Sequence, residues 1–104
     1  MLVSAEEAER RRERQRYLRK AAELEEYLSR LDQAIQDFHH ADHTFKRGCA
    51  ANSGNWLGNT RREFNRCISE VAQSKRKVEQ TYSELRQETR NKLQYYRQKV
   101  SYYS

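Results

Sequence analysis

Gly48-Cys49-Ala50-Ala51-Asn52-Ser53-Gly54-Asn55-Trp56-Leu57-Gly58-Asn59-Thr60 is the stretch that decides how this chain folds. It holds all three glycines and the only tryptophan, and the chain has no proline. Glycine reaches backbone conformations closed to other residues, and Asn and Ser bond to nearby backbone, so the stretch suits a chain reversal. Long runs rich in Glu, Arg, Lys, Gln and Leu, all strong helix formers, flank it on both sides. The expectation is an all-α fold: one domain, residues 1–104, forming a two-helix antiparallel hairpin with coiled-coil-like packing. Helix 1 is expected over about 5–47, the turn over 48–60 and helix 2 over about 61–102.

On the N-terminal side, Lys46 and Arg47 suit the negative end of a helix dipole, and Gly48 suits the position just past a helix end. Further back the apolar positions read Tyr17, Ala21, Leu24, Leu28, Leu31, Ile35, Phe38, Asp42, Phe45. The steps alternate between four and three, which is a heptad seam and predicts left-handed coiled-coil packing. Asp42 breaks the chemistry of that seam. Ser4-Ala5-Glu6-Glu7 has the S-x-x-E form of a capping box and marks the helix start.

On the C-terminal side, Thr60-Arg61-Arg62-Glu63 has the same form. The seam of helix 2 reads Phe64, Ile68, Val71, Lys75, Val78, Tyr82, Leu85, Thr89, Leu93, Tyr96, Val100, Tyr103. It slips by four residues after Leu85, the mark of a stutter. Lys75 and Thr89 weaken it. If Arg47 lies opposite Arg61, Asp42 falls near Arg62 and Arg66. The basic run from Arg10 to Lys20 then falls beside Arg90, Lys92, Arg97 and Lys99, an end that repels itself.

The net charge is +6 over 104 residues. Residues 1–47 carry ten basic and ten acidic side chains, whereas residues 61–104 carry eleven and five, so the excess lies on helix 2. That excess implies an anionic partner surface. No apolar run approaches the roughly 18 residues of a membrane span. Met1-Leu2-Val3 is too short for the apolar core of a signal peptide, so no Sec-type export is expected. Two cysteines make no disulfide framework, and reduced thiols in the cytosol are the default. A two-helix hairpin has one seam to bury and is marginal alone, so a homodimer or a larger partner is expected to cover its second face.

Catalytic chemistry finds little purchase. There is no Gly-rich phosphate loop, and a two-helix hairpin offers no pocket in which to assemble a nucleophile, a base and an orienting group. His39 and His43 share a helix face at a spacing that zinc sites use. Without a C-x-x-C pair or a tight closing loop, polar residues beside the seam are the better reading, and neither metal nor cofactor is expected. Tyr95-Tyr96 and Tyr102-Tyr103 with the basic charge would permit nucleic-acid contacts. Glutamates interleaved through helix 1 argue against that, and tyrosine suits a protein interface.

A helical hairpin of this length with Trp56-Leu57-Gly58 at its turn, and Phe64 eight positions after the tryptophan, resembles the WXG-type small proteins of type VII (Esx) secretion systems. Such proteins carry a Y-x-x-x-D/E export signal after the second helix. Here Tyr17, Tyr27, Tyr82, Tyr95 and Tyr96 are followed four positions later by Ala21, Leu31, Arg86, Lys99 and Val100, and none fits. Phe38-His39-His40-Ala41-Asp42 supplies an F-x-x-x-D instead, as in the helical proteins that accompany LXG toxins of Gram-positive bacteria.

That resemblance implies a cytoplasmic, non-enzymatic targeting factor or chaperone. It would bind the toxin's N-terminal helical LXG domain, often beside a second small helical protein, and go with it to the type VII machine and its ATPase. Phe38 and Asp42 would contribute to the export signal. Trp56 and Gly58 would form the turn. Leu24, Leu28, Leu31, Ile35, Phe45, Phe64, Ile68, Val71, Val78, Tyr82, Leu85 and Tyr96 would form the seam that meets the partner. The alternative for Asp42 is a structural salt bridge to Arg62 or Arg66. The alternative for the chain is a self-associating coiled coil or a basic nucleic-acid-binding helical protein.

Overall fold

The computed structural model of the protein describes residues 4–52 and 59–104. The fold is all-α: helix α1 spans Ala5–Asn52 and helix α2 spans Asn59–Tyr102, the two arms of a helical hairpin. At its start the Glu7 amide donates to Ser4 Oγ at 3.1 Å, so Ser4 caps α1 as the S-x-x-E pattern predicts. Trp56 and Gly58, the two turn residues singled out in the sequence, lie outside the described residues.

The packing divides into two compact units. A terminal unit joins Met1–Leu31 to Glu84–Ser104, and a central unit is Asp32–Ser83. In the terminal unit Arg10 meets Tyr102 and Glu25 meets Arg97, so the two helices run antiparallel. In the central unit Asp32 meets Tyr82, His39 meets Glu79 and Asp42 meets Lys75, again antiparallel.

The seam of α1 is buried or half-buried from Tyr17 to Asp42, and Phe45 is 38% exposed. The seam of α2 is likewise inward from Phe64 to Tyr103, apart from Val78. Alternating steps of three and four keep one stripe of each helix facing its neighbour, and burying that stripe is the main source of stability for helices this polar. Tyr17, Ala21, Ile35 and Leu93 form the most buried part. The two polar seam members of α2 are each satisfied. Thr89 is buried, and its hydroxyl donates to the Leu85 carbonyl of its own helix at 2.7 Å. Lys75 pairs with Asp42 at 3.0 Å.

The helix ends differ from the sequence reading. α1 does not stop before Gly48. It continues through Ala50 and Ala51 to Asn52. One glycine costs a helix only about 1 kcal/mol relative to alanine, and after Cys49 come two alanines, so the helix propagates. Lys46 and Arg47 therefore stand inside α1, and its last turn carries no basic residue. α2 already includes Asn59, so Thr60 and Arg61 lie within the helix. A Cβ built on Gly48 meets nothing within 4 Å. Gly48→Ala is accordingly expected to stabilise the protein by about 1 kcal/mol, read as a rise in Tm by circular dichroism. A lowered Tm would mean that this glycine is not helical in solution.

Candidate partner interface

The central unit is built around Asp42. Its carboxylate lies 3.0 Å from Lys75 Nζ across the seam and 3.2 Å from Lys46 Nζ one turn along α1, and its side chain is only 9% exposed. The expected partners Arg62 and Arg66 are not the ones it takes. Lys75 lies nine residues further along α2 than Arg66, so the two helices pair here in a register other than the expected one. Two polar residues that each look misplaced in their own seam thus meet, and the pairing offsets the desolvation of both. The hydrogen bond from Lys75, helped by Lys46, holds the Asp42 carboxyl below the usual carboxylate range against the upward push of burial. The bond to Asp42 in turn raises the Lys75 ammonium above its ordinary value.

Shallow grooves flank this pair. One, of about 420 Å³, is lined by Phe38, Phe45, Cys67, Val71 and Lys75 among others. A second, of about 300 Å³, is lined by Phe45, Ile68, Val71, Lys75 and Arg76 with Asp42 again at its wall. Phe38 and Asp42, four residues apart, both face the first groove. A single apolar layer with an open groove along each margin is a surface that another amphipathic helix can fill. Elsewhere in this unit Tyr82 donates to Asp32 Oδ1 at 2.6 Å, a contact that the apolar pattern did not signal because Asp32 lies one position off the seam.

The terminal unit corrects the expectation of a self-repelling end. Tyr17 is buried among Tyr103, stacked at 5.9 Å, Tyr96 at 5.8 Å and Tyr95 at 6.5 Å edge-on. Arg16 and Lys20 lie over the Tyr17 ring, Lys20 and Lys92 over Tyr96, Lys92 and Lys99 over Tyr95, and Arg10 and Lys99 over Tyr102. Each such contact contributes about 0.5–1 kcal/mol where solvent reaches it. Arg10 also donates to the Tyr102 carbonyl at 2.8 Å, and Arg97 pairs with Glu25 at 2.9 Å. Tyrosine faces and two carboxylates, Glu25 on Arg97 and Glu13 on Arg16 at 3.1 Å, thus absorb charge that the sequence alone places cation against cation.

The residues named from sequence therefore fall into three places. Phe38, Asp42, Phe45, Phe64, Ile68, Val71, Val78 and Tyr82, with Ile35, belong to the central unit. Leu24, Leu28, Leu31, Leu85 and Tyr96 belong to the terminal unit, where Tyr96 serves the internal tyrosine cluster. Trp56 and Gly58 are not among the described residues. His39 Nε2 lies 3.3 Å from Glu79, and among the described residues no group of three or more His, Cys, Asp or Glu gathers around a point. Cys49 is half-buried, Cys67 is exposed, and both are free thiols. No helix among the described residues is long and apolar enough to cross a membrane. No protein-family model, no curated protein and no solved structure matches the chain.

Proposed function

We propose that the protein is a non-enzymatic adaptor that binds the N-terminal helical LXG domain of a type VII secreted toxin and accompanies it, beside a second small helical protein, to the secretion machine and its ATPase. The observation that carries this reading is the half-open seam of the central unit. There Phe38, Phe45 and Val71 line a groove that faces outward. A partner helix would complete the layer that the hairpin leaves unfinished. The W-x-G motif at Trp56-Leu57-Gly58 and the F-x-x-x-D at Phe38 and Asp42 supply the family-level support. Binding takes place in the cytosol, before export.

Co-expression with a tagged LXG domain tests the first part. A stable complex that survives moderate salt is expected, and Phe45→Ala with Val71→Ala should weaken it at least about tenfold. A homodimer that ignores the LXG domain would point instead to a self-associating coiled coil covering the same grooves. The Asp42–Lys75 pair separates the two roles of Asp42. Asp42→Lys combined with Lys75→Asp keeps an ion pair while moving the carboxylate to the other helix. If Asp42 belongs to the export signal, the double exchange folds, binds and fails to be secreted. Restored secretion would make Asp42 a structural residue.

A further inference from the structure

α2 carries two heptad stripes in the terminal unit: one is buried against α1, and the other meets α1 only along its edge, where Tyr95 touches Tyr17 and Arg10 lies over Tyr102. The buried seam runs Thr89, Leu93, Tyr96, Val100, Tyr103, all buried or half-buried. Displaced from it by one residue is a second stripe: Glu88, Lys92, Tyr95, Lys99, Tyr102. Its steps are four, three, four and three, the same heptad rhythm, and it turns outward at every member but Lys99, which is half-buried. Tyr102 is 65% exposed, Tyr95 is exposed, and Glu88, Asn91, Lys92 and Tyr95 line an open recess of about 440 Å³. A helix that bears two adjacent heptad stripes is built to touch two neighbours, as helices in larger bundles do. α1 is one neighbour.

We propose that this outward stripe is the docking seam for a further helix, supplied by a partner protein and carrying carboxylates at seven-residue spacing. Three observations select that occupant. The rhythm of the stripe fits the knobs of another helix. Its cations, Lys92 and Lys99, are themselves one heptad apart, about 10.5 Å along the axis, and ask for carboxylates at the same interval. The surroundings reinforce the sign, since residues 10–20 hold seven cations and one carboxylate, and residues 90–104 hold four cations and none. Nucleic acid is less well served. Lys92, Lys99 and Arg10 already lie over the Tyr95 and Tyr102 rings, so a base could stack there only by displacing them. Tyrosine, which holds two of the five stripe positions, is also a residue that protein interfaces favour. The proposal rests on reading the chain as an adaptor for helical proteins, but it concerns a different face from the groove beside Asp42.

The probe is a synthetic three-heptad peptide with Leu and Glu alternating along its seam, compared with the same peptide carrying Lys for Glu and with an oligothymidine. Each is titrated against the full chain by fluorescence anisotropy. The acidic peptide is expected to bind, to gain helicity on binding, and to bind at least about tenfold tighter than the basic one. Lys92→Glu with Lys99→Glu should abolish that preference, Tyr102→Ala should weaken it, and Phe45→Ala in the central unit should leave it intact. Tyr102 is too exposed for its loss to unfold the protein, so that variant reads the surface alone. Equal binding of both peptides, no binding of the acidic one, or indifference to Lys92 and Lys99 would overturn the proposal. So would tighter binding of oligothymidine that depends on Tyr95 and Tyr102, which would assign the stripe to single-stranded nucleic acid. No toxin enters this experiment, so its failure leaves the LXG reading standing, and failure of LXG binding leaves this one standing.

Discussion

Tyr17→Ala is expected to destabilise the protein by about 3 kcal/mol, the largest effect of any single truncation proposed here. Tyr17 is the hub of the terminal unit. Its ring is buried against Tyr96, Tyr103 and Tyr95 and receives Arg16 and Lys20 on its faces. Removing it leaves a cavity and strips ring contacts worth about 0.5–1.5 kcal/mol each beyond their area. It also removes the ring over which Arg16 and Lys20 lie. The phenol oxygen matters less, since it accepts a single bond from Arg16 at 3.3 Å. Tyr17→Phe should therefore cost less than about 1 kcal/mol. Urea unfolding followed by circular dichroism measures both. Hydrogen exchange should place the loss of protection for the alanine variant in the terminal unit. Equal costs for the two variants would show that the hydroxyl, not the ring, holds the cluster together.

Removing the Asp42–Lys75 pair from one side is the second large effect, and its signature is the pH dependence. Asp42 is held below its ordinary pKa of about 3.9 by Lys75 and then Lys46. Its contribution is thus fully present above that ordinary value and disappears as pH falls through the lowered one. Lys75 is held above its ordinary value of about 10.4 by Asp42. Its contribution is present below that value and disappears as pH rises through the raised one. Asp42→Asn should lower the Tm by a few degrees at neutral pH. The Tm difference from the wild type should be flat between about pH 4 and pH 10 and should close at both ends. A difference that persists into strong acid would show that the asparagine perturbs packing and that the charge contributes little. Lys75→Met in the same background should recover part of the loss, because it removes the ammonium left facing an uncharged neighbour.

Both seams could be read from the sequence because a heptad rhythm is a property of one helix at a time. Tyr17, Ala21, Ile35 and Leu93 are inside, as their spacing requires. What the sequence could not fix was register, which is a property of the pair. Gly48 read as a stop, and a stop there would have set Asp42 against Arg62 or Arg66. The penalty of a single helical glycine is too small to end a helix that alanines then extend. The contact that forms is at Lys75, nine residues past Arg66, a shift larger than the five residues by which α1 runs past Arg47. The tyrosine cluster was hidden for a related reason. Repulsion among Arg10–Lys20 and Arg90–Lys99 is visible in a list of charges. The rings that lie between those charges depend on which side chains the register brings together. Asp32 and Tyr82 show the same limit, since a carboxylate one position off the seam carries no periodic signal.

The heptad rhythm of the two helices also sets how this protein can change length. Deleting one residue from either helix turns everything beyond it by about 100°, which carries the seam off its partner. Deleting seven turns it by only about 20° but slides it two turns along the neighbouring helix. Only a loss or gain of one heptad in α1 matched by one in α2 preserves both the facing stripe and pairs such as Asp42 with Lys75. Natural variants of this chain, and any shortened version made at the bench, should therefore differ in length by paired blocks of seven, with unpaired insertions confined to the segment that joins α1 to α2.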